Sequence, residues 1–136
     1  MSKIFEHKIR VRYGETDKMG FVYYGNYALY LEEARTELIR KAGISYKEME
    51  EKGIELPVVN LNITYRKPAL YDDELLLKTT IDNQIGKKIS FNTTIFNSEN
   101  QLLIEAVVIL VFIDSVNKKV ISCPEFLEQK LAEYIC

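Results

Sequence analysis

What the chain has little of narrows its chemistry first. Its single histidine, His7, has no cysteine or second histidine at ligand spacing, so no metal centre is expected. The two cysteines, Cys123 and Cys136, both fall near the C-terminus and do not form the framework of a disulfide-stapled domain, which predicts reduced thiols. The longest apolar run, from Ala106 to Ile113, is far shorter than the roughly 20 residues of a membrane helix and is read as a buried strand. An excess of one charge sign is also lacking. A net charge of -2 gives no broad basic field for nucleic acid or an anionic membrane surface. The opening M-S-K-I-F-E-H-K-I-R mixes charge with apolar residues and has no secretory core, so a cytoplasmic protein is expected.

The chain does have enough apolar material for one packed domain over residues 1–136, at 47% hydrophobic residues. Ile4 to Tyr13 alternates as a strand, with Phe5, His7, Ile9 and Val11 on one side. Asn26 then reads as a helix N-cap, and Tyr27, Leu31, Ala34, Leu38 and Ala42 recur at helical spacing until Gly43. Glu32, Glu33, Arg35, Glu37, Arg40 and Lys41 make the opposite, charged face, with Glu37 placed to pair with Lys41. S-Y-K-E opens a short second helix at Ser45 that stops at Gly53. Strands follow from Leu56 to Pro68, Glu74 to Asp82, Lys88 to Asn97 and Leu102 to Ile113, joined by short turn-rich segments. A closing helix begins at Pro124. Because Ala106 to Ile113 shows no polar alternation, both its faces should be covered, the second by another subunit; a homo-oligomer is expected.

The loop before the long helix carries the site. In E-T-D-K-M-G-F-V-Y-Y-G-N-Y one carboxylate, Asp17, stands among tyrosines and two glycines. An aspartate there is by type alone a turn residue. The order of strand, loop, long helix and four antiparallel strands, however, resembles the α+β hotdog fold, an antiparallel sheet of about five strands wrapped around one helix. The run Y-G-E-T-D-K-M-G-F-V-Y-Y-G-N-Y with L-E-E-A-R-T-E-L after it, and V-V-N-L-N-I-T-Y-R-K-P-A-L-Y-D-D-E-L further on, resembles the 4-hydroxybenzoyl-CoA thioesterase family, and within it the Tol-Pal-associated, YbgC-like branch.

That resemblance implies hydrolysis of a thioester, of coenzyme A or of acyl carrier protein, with Asp17 as general base or nucleophile. It implies a dimer or tetramer with sites between subunits. No cofactor is expected, since coenzyme A belongs to the substrate and a thiolate leaves without a strong acid, its thiol having a pKa near ~8.5. The amides of Tyr24 and Gly25, at the helix start, are the expected oxyanion donors. Gly20 and Gly25 would let the backbone turn and approach the ligand, and Tyr23, Tyr24 and Tyr27 would wall the acyl pocket. Tyr24 stands where many members of the branch have histidine, so no histidine-assisted proton transfer is carried over. For the coenzyme A phosphates the candidates are Arg66, Lys67, Lys87 and Lys88, with Ser90 adding a hydroxyl.

Competing assignments are weaker. Glu32 and Glu33, on the helix where another hotdog class places its acid, read as solvent-facing partners of Arg35 or Arg40. His7 reads as a packed strand residue and Cys123 as a structural thiol. A hotdog hydratase or dehydratase would need a well-placed histidine. A non-catalytic acyl-thioester-binding protein would not need Asp17.

Overall fold

The period-two segments become long strands, and two short ones appear in the connections between them. The computed structural model describes residues 3–136. In chain order the elements are β1 (Phe5–Arg10), α1 (Tyr27–Lys41), α2 (Tyr46–Glu51), β2 (Ile54–Glu55), β3 (Val58–Tyr65), β4 (Glu74–Ile81), β5 (Lys88–Phe96), β6 (Leu102–Asp114), β7 (Val120–Ile121) and α3 (Glu125–Leu131).

The sheet is antiparallel, and its long strands lie in the order β1-β4-β5-β6-β3. It has seven strands rather than about five. The two additional ones are two-residue extensions at one end of β6: β2 sets Ile54 opposite Asp114 beyond β3, and β7 sets Ile121 opposite Phe112 beyond β5. β3 pairs with β6 alone among the described residues, so its other edge is unpaired. The first strand is shorter than its alternation predicts, because Tyr13–Glu15 turns into a short 3-10 segment.

One face of the sheet closes over α1. Leu75, Leu77 and Ile81 of β4, with Ile89, Phe91 and Ile95 of β5, share a core with Tyr27, Leu31, Ala34, Leu38 and Ile39. Each of the leucine, isoleucine and phenylalanine side chains contributes about 1.5–3 kcal/mol of burial. Within this apolar layer the Thr79 and Thr93 hydroxyls are 2.9 Å apart and hydrogen-bonded, so neither is left unsatisfied. On β6, Ala106, Val108, Leu110 and Phe112 are buried against the helix side, whereas Val107, Ile109 and Ile113 on the other face are only half-buried. In the single chain the second face is therefore partly covered, not closed.

The helix boundaries carry two corrections. Asn26 makes no side-chain cap; one turn of 3-10 helix, Tyr24–Asn26, leads into α1, and the Asn26 side chain donates instead to the Glu15 carbonyl at 2.9 Å. The charged face is narrower than its pattern, because Arg35 is buried with the core residues of α1. Glu37 pairs with Arg40 rather than Lys41, and Glu33 pairs with His7 across to β1, at 2.6 Å, rather than with an arginine. Ser45 caps α2 as expected, its Oγ accepting from the Glu48 amide at 3.1 Å, and Pro124 is the N-cap of α3.

Candidate active site

Asp17 sits in a loop tied at both ends. Thr16 bridges to Val22, the Asp17 amide donates to the Phe21 carbonyl at 2.8 Å, and the Gly20 amide donates to the Asp17 carbonyl at 3.0 Å. The turn closes through Gly20 at φ 82°, a left-handed conformation that side chains disfavour. The Asp17 side chain is part of this turn: Oδ1 accepts from the Met19 amide at 2.9 Å and the Phe21 amide at 3.2 Å. Its Oδ2 has no partner among the described residues. One oxygen is a fixed anchor and the other is available for chemistry.

The loop is stitched to the segment after β3. The Val22 amide donates to Ala69, the Tyr71 amide donates to Gly20, and Phe21 bridges to Leu70. Between them lies a cleft of about 370 Å³ that brings Asp17 together with Phe21, Val22, Tyr24, Tyr27, Tyr65 and the stretch Arg66, Lys67 and Pro68. Tyr27 is 2% exposed, its hydroxyl accepts from the Ala69 amide at 3.1 Å, and its ring meets Tyr65 edge-on at 5.6 Å. Burial raises the Tyr27 phenol above its usual value.

The helix start faces the same space. Tyr24 is 64% exposed, and neither its amide nor that of Gly25 donates to any group among the described residues. These are leading amides of the helical run, without an intrahelical acceptor by construction. A Cβ at Gly25 would lie 2.8 Å from Cε2 of Tyr23, so a side chain there would have to turn that exposed ring aside. Tyr23 itself lies against Tyr24, ring centres 4.7 Å apart and tilted by 37°, and does not line the cleft.

The cationic candidates divide. Arg66 and Lys67 border the cleft, and Arg66 also pairs with Glu105 at 2.8 Å. Lys87, Lys88 and Ser90 are not brought there by their own chain. Lys88 stands opposite Val111 on β6, whereas Tyr65 stands opposite Ile104, a separation of roughly 20 Å along the strand.

Sequence reasoning missed the residue that organises the loop. The Glu15 carbonyl accepts from both the Tyr23 amide and the Asn26 side chain, at 2.9 Å each. Its carboxylate accepts from the Arg12 amide and the Tyr30 hydroxyl, each at 2.8 Å, and from the Arg12 guanidinium at 2.9 Å. Burial pushes the Glu15 carboxyl up, but these hydrogen bonds outweigh it and hold the carboxyl below its usual range. Burial and the neighbouring carboxylate raise the Tyr30 phenol in turn. The usable signal was R-Y-G-E, an arginine and a glutamate three residues apart around a turn.

A depressed folded-state value means that Glu15 supports the fold fully above its unfolded value, about 4.3, and loses that contribution as pH falls through the lower folded value. Glu15→Gln should therefore lower Tm at neutral pH and flatten its fall with acid below about pH 4.3. Parallel wild-type and variant Tm curves across that window would contradict this.

The chain can now be compared with known proteins. The model of the thioesterase-like superfamily matches residues 11–131. A relative from Bacillus subtilis (strain 168), named putative acyl-CoA thioesterase YneP, is 41% identical over 103 residues, 76% of this chain and 75% of that protein. The acyl-CoA thioester hydrolase YbgC of Escherichia coli O157:H7 is 34% identical over 122 residues, 90% of this chain and 91% of that one. Among solved structures, a DHNA-CoA thioesterase from Staphylococcus aureus superposes with a TM-score of 0.83 at 35% identity, covering 93% of this chain and 82% of that one. With the sheet wrapped on α1 and the match running from the end of β1 into α3, this chain belongs to the thioesterase-like superfamily and has its hotdog fold.

Proposed function

We propose that this protein is an acyl-CoA thioesterase that hydrolyses its substrate to a free carboxylic acid and coenzyme A, with Asp17 as the reactive carboxylate. The observation that carries the reading is the unpartnered Asp17 Oδ2 in a cleft that Tyr24 also lines, at the start of a helical run whose Tyr24 and Gly25 amides donate to no group among the described residues. Base and oxyanion donors are the two parts that thioester hydrolysis needs, because the thiol leaves as a thiolate.

The reaction balances simply. Oδ2 takes a proton from water as the water oxygen bonds the acyl carbon, or bonds that carbon itself to give an anhydride that water then opens. In either case the carbonyl oxygen gains negative charge facing the two amides, the C–S bond breaks with its electron pair on sulfur, and the thiolate is protonated. In a single turnover in ¹⁸O-labelled water, label in Asp17 identifies the anhydride route with water opening the anhydride at the Asp17 carbonyl. Opening at the acyl carbon puts the label in the product acid, as the general-base route does, and is distinguished by detecting the acyl-enzyme directly by mass in a quenched single turnover.

The aromatic wall of Tyr24, Tyr27 and Tyr65 takes the acyl group, and Arg66 and Lys67 at the mouth take the coenzyme A phosphates. Lys87, Lys88 and Ser90 can meet the same ligand only from another subunit. A homo-oligomer is part of the reading: β3 has a free edge and exposes Val58, Val59 and Leu61, the last at 43%. Such an enzyme needs no cofactor and works in the cytoplasm, where acyl-CoA is available.

The test is thiol release from short, long and aromatic acyl-CoAs and from acyl carrier protein thioesters. Turnover of at least one with kcat/KM above about 10⁴ M⁻¹s⁻¹ is expected for an authentic substrate. Binding of acyl-CoA without release from any of them would favour the non-catalytic carrier instead.

A further inference from the structure

One buried charge has no carboxylate counterpart among the described residues. Arg35, on α1, is 8% exposed; its Nε is fully enclosed and has no hydrogen-bond partner, and no carboxylate stands within ion-pair distance, among the described residues. Burial raises the neighbouring Tyr46 phenol, and the Arg35 charge and a hydrogen bond from Arg35 offset part of that rise, so Tyr46 is the one group of the chain that meets part of the guanidinium among the described residues. A guanidinium carries five donors in a fixed fork, and enclosing one of them, the Nε–H, without an acceptor is costly. Arg35 lines a cleft of about 440 Å³ between α1, α2 and the approach to β3, with Thr36, Tyr46, Leu56 and Val58. Glu32 and Glu50 complete its lining and are exposed. Their negative charge disfavours a free phosphate there and favours an uncharged acceptor.

The position of this cleft gives it a use. It borders the start of β3, at Val58, whereas the Asp17 cleft borders the end of β3, at Tyr65. The outer edge of β3 is unpaired among the described residues, and Val58, Val59 and Leu61 are exposed along it. A second copy that adds its own β3 by two-fold antiparallel pairing, centred on the strand, sets Val58 of one copy opposite the partner's Tyr65. The Arg35 cleft of each copy then abuts the Asp17 cleft of the other.

We propose that Arg35 forms the far wall of the acyl pocket opened by the Asp17 of the other copy, where its guanidinium hydrogen-bonds an uncharged oxygen, hydroxyl or carbonyl, carried by the acyl group. The proposal rests on the thioesterase reading and adds to it the polarity of the acyl group. A plain alkyl chain of the same size offers the guanidinium no such acceptor, so the pocket discriminates against it.

The experiment uses matched substrates: 6-hydroxyhexanoyl-CoA against heptanoyl-CoA, and 4-hydroxyphenylacetyl-CoA against 4-methylphenylacetyl-CoA. In the pair with the higher turnover, the wild type should prefer the hydroxylated member by about tenfold or more in kcat/KM. Arg35→Met, which keeps the apolar stem, should bring that ratio to within about twofold of one. If Arg35→Met does not fold, Arg35→Lys, with a point charge in place of the fork, should give an intermediate ratio.

A mixed dimer separates Arg35 acting in the site of the other copy from Arg35 acting in the site of its own copy. With Asp17→Asn in one copy and Arg35→Met in the other, both lesions fall in one site and the remaining site is whole. The mixed dimer should therefore keep the wild-type ratio at about half the turnover per dimer. A wild-type ratio near one, a variant that keeps the wild-type ratio, a mixed dimer with a relaxed ratio, or a protein monomeric at assay concentrations would each overturn the proposal. Failure of the wild type to hydrolyse any acyl-CoA is a distinct result, which removes the thioesterase reading itself and the pocket assignment with it.

Discussion

Asp17→Asn should fold normally and lose about 10³-fold in kcat/KM on whichever acyl-CoA the wild type turns over. The asparagine carbonyl can still accept from the Met19 and Phe21 amides, so the turn that holds the side chain keeps its anchor. What changes is the other position, where an amide nitrogen replaces Oδ2 and can act neither as base nor as nucleophile. Thiol release measured beside thermal melting separates the two consequences. A variant that melts within a degree or two of the wild type and keeps more than a tenth of its kcat/KM would remove Asp17 from the chemistry.

Gly20→Val is the second large effect, and its cause lies in the backbone alone. A Cβ at Gly20 would meet nothing within 4 Å, so there is room for a side chain. The obstacle is φ 82°, where a Cβ costs about 1–2 kcal/mol and a branched one more. Relaxing that angle pulls on the Gly20-to-Asp17 and Phe21-to-Asp17 hydrogen bonds and moves the carboxylate relative to the helix start. A misplacement of about 1 Å at a catalytic group can cost roughly 100-fold, and a kcat loss of that order is expected, with thermal stability also lowered. Gly20→Asn should retain most activity, since asparagine tolerates the left-handed region. Equal activity in the valine and asparagine variants would show that the conformation at residue 20 does not set the geometry of Asp17.

The parts legible in the sequence were those governed by periodicity. Alternation located β4 and β5 because one face of each lies in the core shared with α1, as Leu75, Leu77 and Ile81 show on β4, whereas β3 alternates in residue type yet stays exposed along most of its length. β2 and β7 were not legible, since two residues carry no period and pair only because β6 extends past its neighbours. Arg35 was read as part of a solvated face because helical spacing places it beside charged positions; the packing of α2 over that side of α1, unknown from the sequence, encloses it. Asn26 was misread for a related reason. Its residue type suits a cap, but the loop returning to Glu15 offered its side chain a different partner. The candidate Asp17 was legible through its motif. That one of its oxygens is fixed while the other is unpartnered depends on a turn closed by hydrogen bonds no pattern records.

The hydroxyl pair of Thr79 and Thr93, on adjacent strands under the helix, acts on specificity more than on stability. Thr79 stands directly opposite Thr93 in the β4–β5 ladder. If β4 slid by two residues against β5, every apolar side chain would keep its face, and burial alone would scarcely distinguish the slipped sheet from the native one. Each hydroxyl would then be left alone in an apolar layer, a penalty of about 1–3 kcal/mol apiece. The two threonines thus behave as a registration key for the sheet, and because β1, β4 and β5 are laid edge to edge, they fix where the Asp17 loop leaves the end of β1.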